Sequence, residues 1–331
     1  MTPDDLEKAV ARLDAGLTVV FPTETVYGLG ADASNPEAVK RIYAIKGRPA
    51  DHPLIVHIAS LRQLDSWADP IPPEAWRLAE RFWPGPLTLV LPRRREVSGT
   101  VTGGRDTVAV RVPDHPVASA RLETFGGGLA APSANRFGRL SPTTARHVQE
   151  ELGEEAGMIL EGGPCRIGVE STIVSLVGQT PLILRPGAIS AGQIREVLGR
   201  EIGGPSEGLT GQPAPGGLSA HYAPKTPLEV LSAASLPGRV FQVIRAGGKA
   251  GVLALTGDAG RFGSDKVAIF LMSTRAEDYG RDFYAALHLL DRAGCDRLLV
   301  ERPPGAEEWS AVRDRLRRAL APRSATWPSE T

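Results

Sequence analysis

The sequence predicts a two-domain α/β protein, with a mixed-sheet domain over residues 1–203 and a smaller α/β domain over 228–321. Three observations carry that prediction. The chain has 331 residues, longer than the ~250 at which a single hydrophobic core usually stops growing. Short apolar runs alternate with helical periodicity on both sides of one break. That break, residues 204–227, is too rich in Gly and Pro to hold a helix or a central strand and reads as a linker. Residues 322–331 read as a loose tail.

The elements follow in order. Leu6, Val10 and Leu13 recur at helical spacing, and Leu17 to Phe21 reads as a buried strand. Ser34-Asn35-Pro36 starts a helix, with Pro at its first position and Val39, Ile42 and Tyr43 on the apolar side. Residues 54–58, 87–91, 108–112, 129–131, 158–160, 171–176 and 181–184 read as further strands. Ser141-Pro142 is expected to open a helix, and Ser190 with Gln193 has capping-box spacing before another. Beyond the linker, strands are expected at 228–231, 240–244, 251–255, 267–271 and 297–301. One helix there turns Tyr279, Phe283, Leu287 and Leu290 inward, and a second spans about 307–320.

Composition narrows the function classes. The 38 basic residues balance 38 acidic ones, which argues against nucleic-acid binding through overall charge. No run approaches the ~18 apolar residues of a membrane span, and the acidic start at Asp4 and Asp5 is unlike a signal peptide. Cys165 and Cys295 show neither CxxC nor Cys/His spacing, so a reduced, cytoplasmic setting is expected. Gly28-Leu29-Gly30-Ala31-Asp32-Ala33 fits a loose dinucleotide fingerprint, but Pro22 to Thr25 separates it from the strand and no helix signal follows until Ser34.

What remains is a set of cations and hydroxyls at strand ends. Lys46, the only lysine between residues 41 and 224, sits in Lys46-Gly47-Arg48-Pro49, where Gly and Pro end a helix. Arg111 lies within the apolar strand 108–112, which is costly unless a carboxylate or another anion meets it. Both a structural ion pair and an anionic ligand satisfy that requirement. Ser133 and Asn135 stand two apart, on one face of an extended chain. Glu170-Ser171-Thr172 and Arg185-Pro186-Gly187 repeat the scheme of apolar strand, polar residues and turn. Four cations, Lys46, Arg48, Arg111 and Arg185, beside these hydroxyls suit a nucleotide or another phosphorylated molecule.

Phe21 to Gly30, Lys46 to Pro49 with Pro53 to His57, Trp83 to Thr88, Ala131 to Asn135, Gly168 to Thr172, Leu184 to Gly187 and His221 to Pro224 resemble, in order, the signature of the YrdC/Sua5 family. The resemblance is dense over residues 1–225, and His221-Tyr222-Ala223-Pro224 is similar to the long, Sua5 type. It implies a YrdC-like twisted mixed-sheet domain followed by a Sua5 C-terminal domain. It further implies an L-threonylcarbamoyladenylate synthase, a nucleotidyltransferase that joins L-threonine, bicarbonate and ATP and releases pyrophosphate. Its product would serve N6-threonylcarbamoyladenosine formation in tRNA through a downstream threonylcarbamoyl transferase complex, with weak tRNA contact at most.

Carried over by resemblance, Lys46 and Arg48 face bicarbonate and phosphates as catalytic groups. Thr25, His57, Arg111, Ala131 and Ser171 would hold threonine. Arg48, His52, Thr107, Ser133, Asn135, Ser141, Arg185 and Tyr222 would contact ATP, with Mg²⁺ held mainly by the ATP phosphates. His52 stands where relatives often carry Asn. The linker segment 205–225 is expected to fold over the site as a lid that excludes water. Two rival readings are an RNA-binding module of the same fold and carbamoyl transfer to another acceptor.

Overall fold

The computed structural model describes residues 2–204, 221–255 and 264–320, so residues 205–220 of the expected lid and the expected tail lie outside the described residues. The described chain divides into two units: residues 2–137, 141–166 and 170–204, and residues 138–140, 167–169 and those from 221 onward.

The first unit runs α1 (Pro3–Asp14), β1 (Val19–Phe21), β2 (Gly28–Asp32), α2 (Pro36–Lys46), β3 (Ile55–His57), α3 (Pro73–Phe82), β4 (Leu87–Pro92), α4 (Gly99–Thr102), β5 (Thr107–Arg111), α5 (Pro116–Phe125), β6 (Leu129–Ala130), α6 (Ala145–Leu152), β7 (Met158–Ile159), β8 (Thr172–Ser175), β9 (Leu182–Arg185) and α7 (Ala191–Leu198). Its nine strands form one mixed sheet in the order β7-β1-β2-β6-β3-β5-β4-β8-β9. Local sequence accounts for the helix ends. The Asn35 side chain accepts from the Glu37 and Ala38 amides ahead of Pro36, and Gly47 ends α2 in the left-handed region at φ 61°. Ser190 and Gln193 complete the expected capping box of α7.

Strand alternation sorts the sheet into two faces. Leu87, Leu89, Leu91, Val108 and Val110 turn into the main core with Val56 and Val174. Their neighbours Ile55, Val90, Ala109 and Ile173 form a separate small cluster on the opposite face. Side chains two apart share a face, so His57, Arg111, Thr107, Thr88 and Ser171 belong to the side of that small cluster. The sheet therefore gives its fully apolar face to the core and carries the polar residues on the other.

Residues 28–32, which the sequence left unassigned, form β2, where the glycines admit close packing: a Cβ on Gly30 would lie 2.6 Å from the Phe21 ring. Two expectations are corrected. No helix opens at Ser141-Pro142; α6 starts at Ala145 under a Thr144 cap, because the buried Ser141 hydroxyl bonds to Glu170 instead. In the second unit, 240–244 is helical rather than a strand.

The second unit runs β10 (Leu228–Leu231), α8 (Leu236–Arg245), β11 (Ala250–Ala254), β12 (Val267–Leu271), α9 (Ala276–Arg292), β13 (Arg297–Glu301) and α10 (Ser310–Leu320). Its parallel sheet has the order β10-β13-β11-β12. Leu236, Val240 and Val243 are buried at helical spacing, so burial periodicity overrode the strand propensity of the Val and Ile residues there. Tyr279, Phe283, Leu287 and Leu290 are buried along α9 as expected. Gly168 sits at φ 76°, and a Cβ on it would come within 2.3 Å of the Arg281 carbonyl oxygen, so only glycine fits against α9.

Candidate active site

The site residues of the first unit start from strand register. His57 on β3 and Arg111 on β5 are direct partners in a parallel ladder. Thr107 lies on the same face of β5, four residues and so about 13 Å from Arg111 along the strand. β4 lies between β5 and β8, with Thr88 paired to Ile173 and Leu87 to Thr172. That order brings Ser171, just ahead of β8, to Thr88: their hydroxyls are 2.7 Å apart. Arg185 donates from Nε and NH2 to the Ser171 carbonyl at 3.0 and 2.9 Å, and from NH2 to the Ser171 hydroxyl at 3.0 Å.

Arg111 is buried and held on three sides. Its Nε donates to the Gly85 carbonyl at 3.1 Å, and its NH2 donates to Glu24 Oε1 at 2.6 Å and to Thr25 Oγ1 at 3.0 Å. The Asp114 amide donates to the second Glu24 oxygen at 3.1 Å. A structural ion pair thus exists, and it leaves NH1 with no hydrogen bond among the described residues. His57 is buried, and burial together with the Arg111 charge lowers its pKa to about 3, so the ring is neutral at pH 7. The Ala131 amide donates to the Ile55 carbonyl at 3.0 Å, fixing Ala131 beside β3.

Lys46 ends α2 with its ammonium inside the protein, donating to the Ser133 and Asn135 carbonyls at 2.6 and 2.5 Å. Those two bonds bind the helix end to the 133–135 loop and leave one N–H of the ammonium without a partner among the described residues. Burial and then the Arg48 charge lower the Lys46 pKa well below the usual lysine value. Arg48 NH2 donates to the Pro53 carbonyl at 3.1 Å, and its guanidinium lies 5.9 Å from the Phe137 ring centre. His52 faces the same ring at 5.5 Å, and burial lowers its pKa as well. Asn135 is buried, with its amide donating to the Arg136 carbonyl at 2.8 Å. Ser141 donates to Glu170 Oε1 at 2.5 Å.

Two neighbourhoods thus emerge. His57 and Arg111 stand side by side on β3 and β5, with Thr25 of the loop after β1 bonded to Arg111 and Ser171 ahead of β8 reached across β4, while Lys46, Arg48, His52, Ser133 and Asn135 gather at the end of α2. Tyr222 belongs to the second unit, where it is buried at φ 64° with the Arg315 guanidinium 5.2 Å from its ring centre. Sequence reasoning missed Thr23, Glu24, Thr88, Phe137 and Glu170 as members. The cost of burying Arg111 was the available signal for Glu24, since it demands an anion without saying where the anion sits in the chain.

Comparison with known proteins completes the description. The Sua5/YciO/YrdC family model, described as "Telomere recombination", matches residues 11–187, and the model for the threonylcarbamoyl-AMP synthase C-terminal domain matches 189–321. The threonylcarbamoyl-AMP synthase of Pyrococcus abyssi is 43% identical over 323 residues, covering 94% of this chain and 92% of that protein. The Bacillus subtilis synthase is 41% identical over 327 residues, covering 96% and 93%. The crystal structure of P. abyssi Sua5 complexed with L-threonine matches with a TM-score of 0.88 at 41% identity, covering 95% of this chain and 94% of that one.

Proposed function

Because the chain belongs to the Sua5/YrdC family of threonylcarbamoyl-AMP synthases, in its two-domain form, we propose how its first unit carries out that reaction. The protein is a nucleotidyltransferase-type enzyme that uses L-threonine and ATP. In the reading favoured here, the threonine amine attacks bicarbonate carbon, water leaves, and the resulting carbamate oxygen attacks the α-phosphorus of ATP as pyrophosphate departs. Two anions must meet, so the protein's work is charge neutralisation and alignment more than proton transfer.

The observation that carries this reading is Arg111. It is neutralised on one side by Glu24 at 2.6 Å, yet keeps NH1 without a hydrogen bond among the described residues. NH1, the Ser171 hydroxyl and the His57 ring would receive threonine, with Thr25 and Ala131 beside them. Lys46 and Arg48 would face bicarbonate and the phosphates. His52, Thr107, Ser133, Asn135, Ser141, Arg185 and Tyr222 would contact the nucleotide. The arginine–aromatic–histidine group of Arg48, Phe137 and His52 supports the placement of a nucleotide at the end of α2.

Mg²⁺ is part of the proposal as a companion of ATP, held mainly by the ATP phosphates. Bound there, Mg²⁺ would supply charge neutralisation on the triphosphate. The proposal includes a catalytic domain over 1–203, a linker lid over 204–227, a C-terminal domain over 228–321 and a tail over 322–331. It also includes cytoplasmic action, delivery of the product to a tRNA threonylcarbamoyl transferase complex and weak tRNA contact; no helix of the described residues is long and apolar enough to cross a membrane.

Pyrophosphate release from ATP is the test. Release that requires both L-threonine and bicarbonate is expected; release independent of either would refute the reaction.

A further inference from the structure

The protein dictates hydrogen positions on two hydroxyls of the site, in opposite senses. Thr23 Oγ1 lies 2.7 Å from the Val26 carbonyl oxygen, which can only accept, so the Thr23 proton is committed there. Thr25 Oγ1 lies 2.8 Å from Thr23 Oγ1 and must therefore be the donor of that bond. Thr25 also accepts from Arg111 NH2 at 3.0 Å. A hydroxyl has one proton and two lone pairs, so Thr25 has a single lone pair left and no proton.

Ser171 is the reverse. Its oxygen accepts from Arg185 NH2 at 3.0 Å and lies 2.7 Å from Thr88 Oγ1. Thr88 is fully buried, and its hydroxyl has Ser171 as its one hydrogen-bond partner among the described residues. Ser171 is fully buried as well, so whichever hydroxyl donates leaves the other's proton without an acceptor among the described residues. With the shared proton on Thr88 that remaining proton is on Ser171, where the carboxylate of a ligand bound in this row would accept it. Ser171 then accepts twice and retains its own proton. Arg111 NH1 adds further donors, since its Nε and NH2 protons are engaged by Gly85, Glu24 and Thr25.

Resting on the reading that this row binds L-threonine, we propose that Thr23 and Thr88 are positioning residues that fix the polarity of the site. Thr23 holds Thr25 as an acceptor for an N–H or O–H of the amino acid. Thr88 holds Ser171 as a donor to its carboxylate. The pattern matches an amino acid, which carries donors at one end and carboxylate acceptors at the other. A freely rotating hydroxyl would serve either end; a fixed one places donor against donor when the ligand is reversed. Thr23 and Thr88 thereby act on binding through Thr25 and Ser171.

The test is calorimetric binding of L-threonine and of ATP to the full chain carrying Thr23→Val, Thr23→Ser, Thr88→Val or Thr88→Ser. Each Val variant should weaken L-threonine binding on the order of 10-fold, the scale of one hydrogen bond, with ATP affinity unchanged and the Ser variants restored. Repeating Thr23→Val with L-2-aminobutyrate, which lacks the hydroxyl, assigns the group that Thr25 accepts. A persisting deficit identifies the substrate N–H, and a vanishing one identifies the O–H. Thr23 Oγ1 also accepts, at the longer distance of 3.2 Å, from the Thr25 and Val26 amides, which share one lone pair while the Thr25 hydroxyl takes the other; should Thr23→Val fail to fold for that reason, Thr88→Val decides. Folded Val variants that bind L-threonine as wild type does would overturn the proposal. Wild-type protein that binds no L-threonine would instead overturn the reading beneath it.

Discussion

Arg111 and Glu24 form an ion pair of 2.6 Å in which both side chains are almost wholly buried, at 4% and 1% exposure. The two residues come from opposite sides of β2–β4 in sequence, and the pair ties the loop after β1 to the end of β5. Removing one partner would leave a charge unpaired in the interior. Glu24→Ala should therefore cost about 3–5 kcal/mol of stability, read as a shift in the urea midpoint. A loss below about 1 kcal/mol would show that the pair contributes little. Arg111→Ala should lower pyrophosphate release by at least ~10²-fold.

Lys46 offers a second prediction. Its ammonium joins α2 to the Ser133 and Asn135 carbonyls while keeping one N–H unengaged. Lys46→Ala should lower the synthesis rate by at least ~10²-fold, the scale of losing one preorganised electrostatic group. A folded variant with a near-wild-type rate would remove Lys46 from the site.

His57 predicts a pH dependence of stability. Its pKa falls from 6.5 to about 3 on folding, first through burial and then through the Arg111 charge. The unfolded chain accordingly takes up a proton that the folded protein refuses. The stability this neutral ring contributes is complete above pH 6.5 and is lost progressively as pH falls toward 3. His57→Gln should flatten the fall of melting temperature across that window. An unchanged slope would mean that other groups dominate acid unfolding.

Arg121 is wholly buried on α5 and donates from NH2 to the Ala9 carbonyl at 2.9 Å, whereas its Nε and NH1 find no hydrogen-bond partner among the described residues. Burial lowers its pKa to about 10. An apolar side chain of similar length avoids that desolvation, and Val117, Ala118 and Leu122 around it on α5 belong to an apolar cluster. Arg121→Met should leave stability unchanged or raise it by up to about 2 kcal/mol. A loss of more than about 1 kcal/mol would contradict this account.

Much of the fold was legible because its signals are local. The Asn35-Pro36 helix start, the Ser190/Gln193 capping box and the inward stripe of α9 all depend on residues within a few positions of each other. Elsewhere a distant contact decided. Gly28 to Asp32, which no local signal marked as a strand, pairs with β1 with Gly30 against the Phe21 ring. Ser141 did not cap a helix because Glu170 took its hydroxyl.

The site divides along the same line. Sequence by itself determined which cations and hydroxyls are present, that Arg111 and Arg185 stand at strand ends and Lys46 at a helix end, and that a buried Arg111 must meet an anion, because burial cost depends on residue type and on the alternation of its own strand. Tertiary structure decided that the anion is Glu24, that Thr88 meets Ser171, and which hydroxyl keeps its proton. Those outcomes depend on the order β3-β5-β4-β8 and on the geometry of bonds between residues as many as 87 positions apart, and a hydrogen bond exists only where the folded chain brings donor and acceptor within reach.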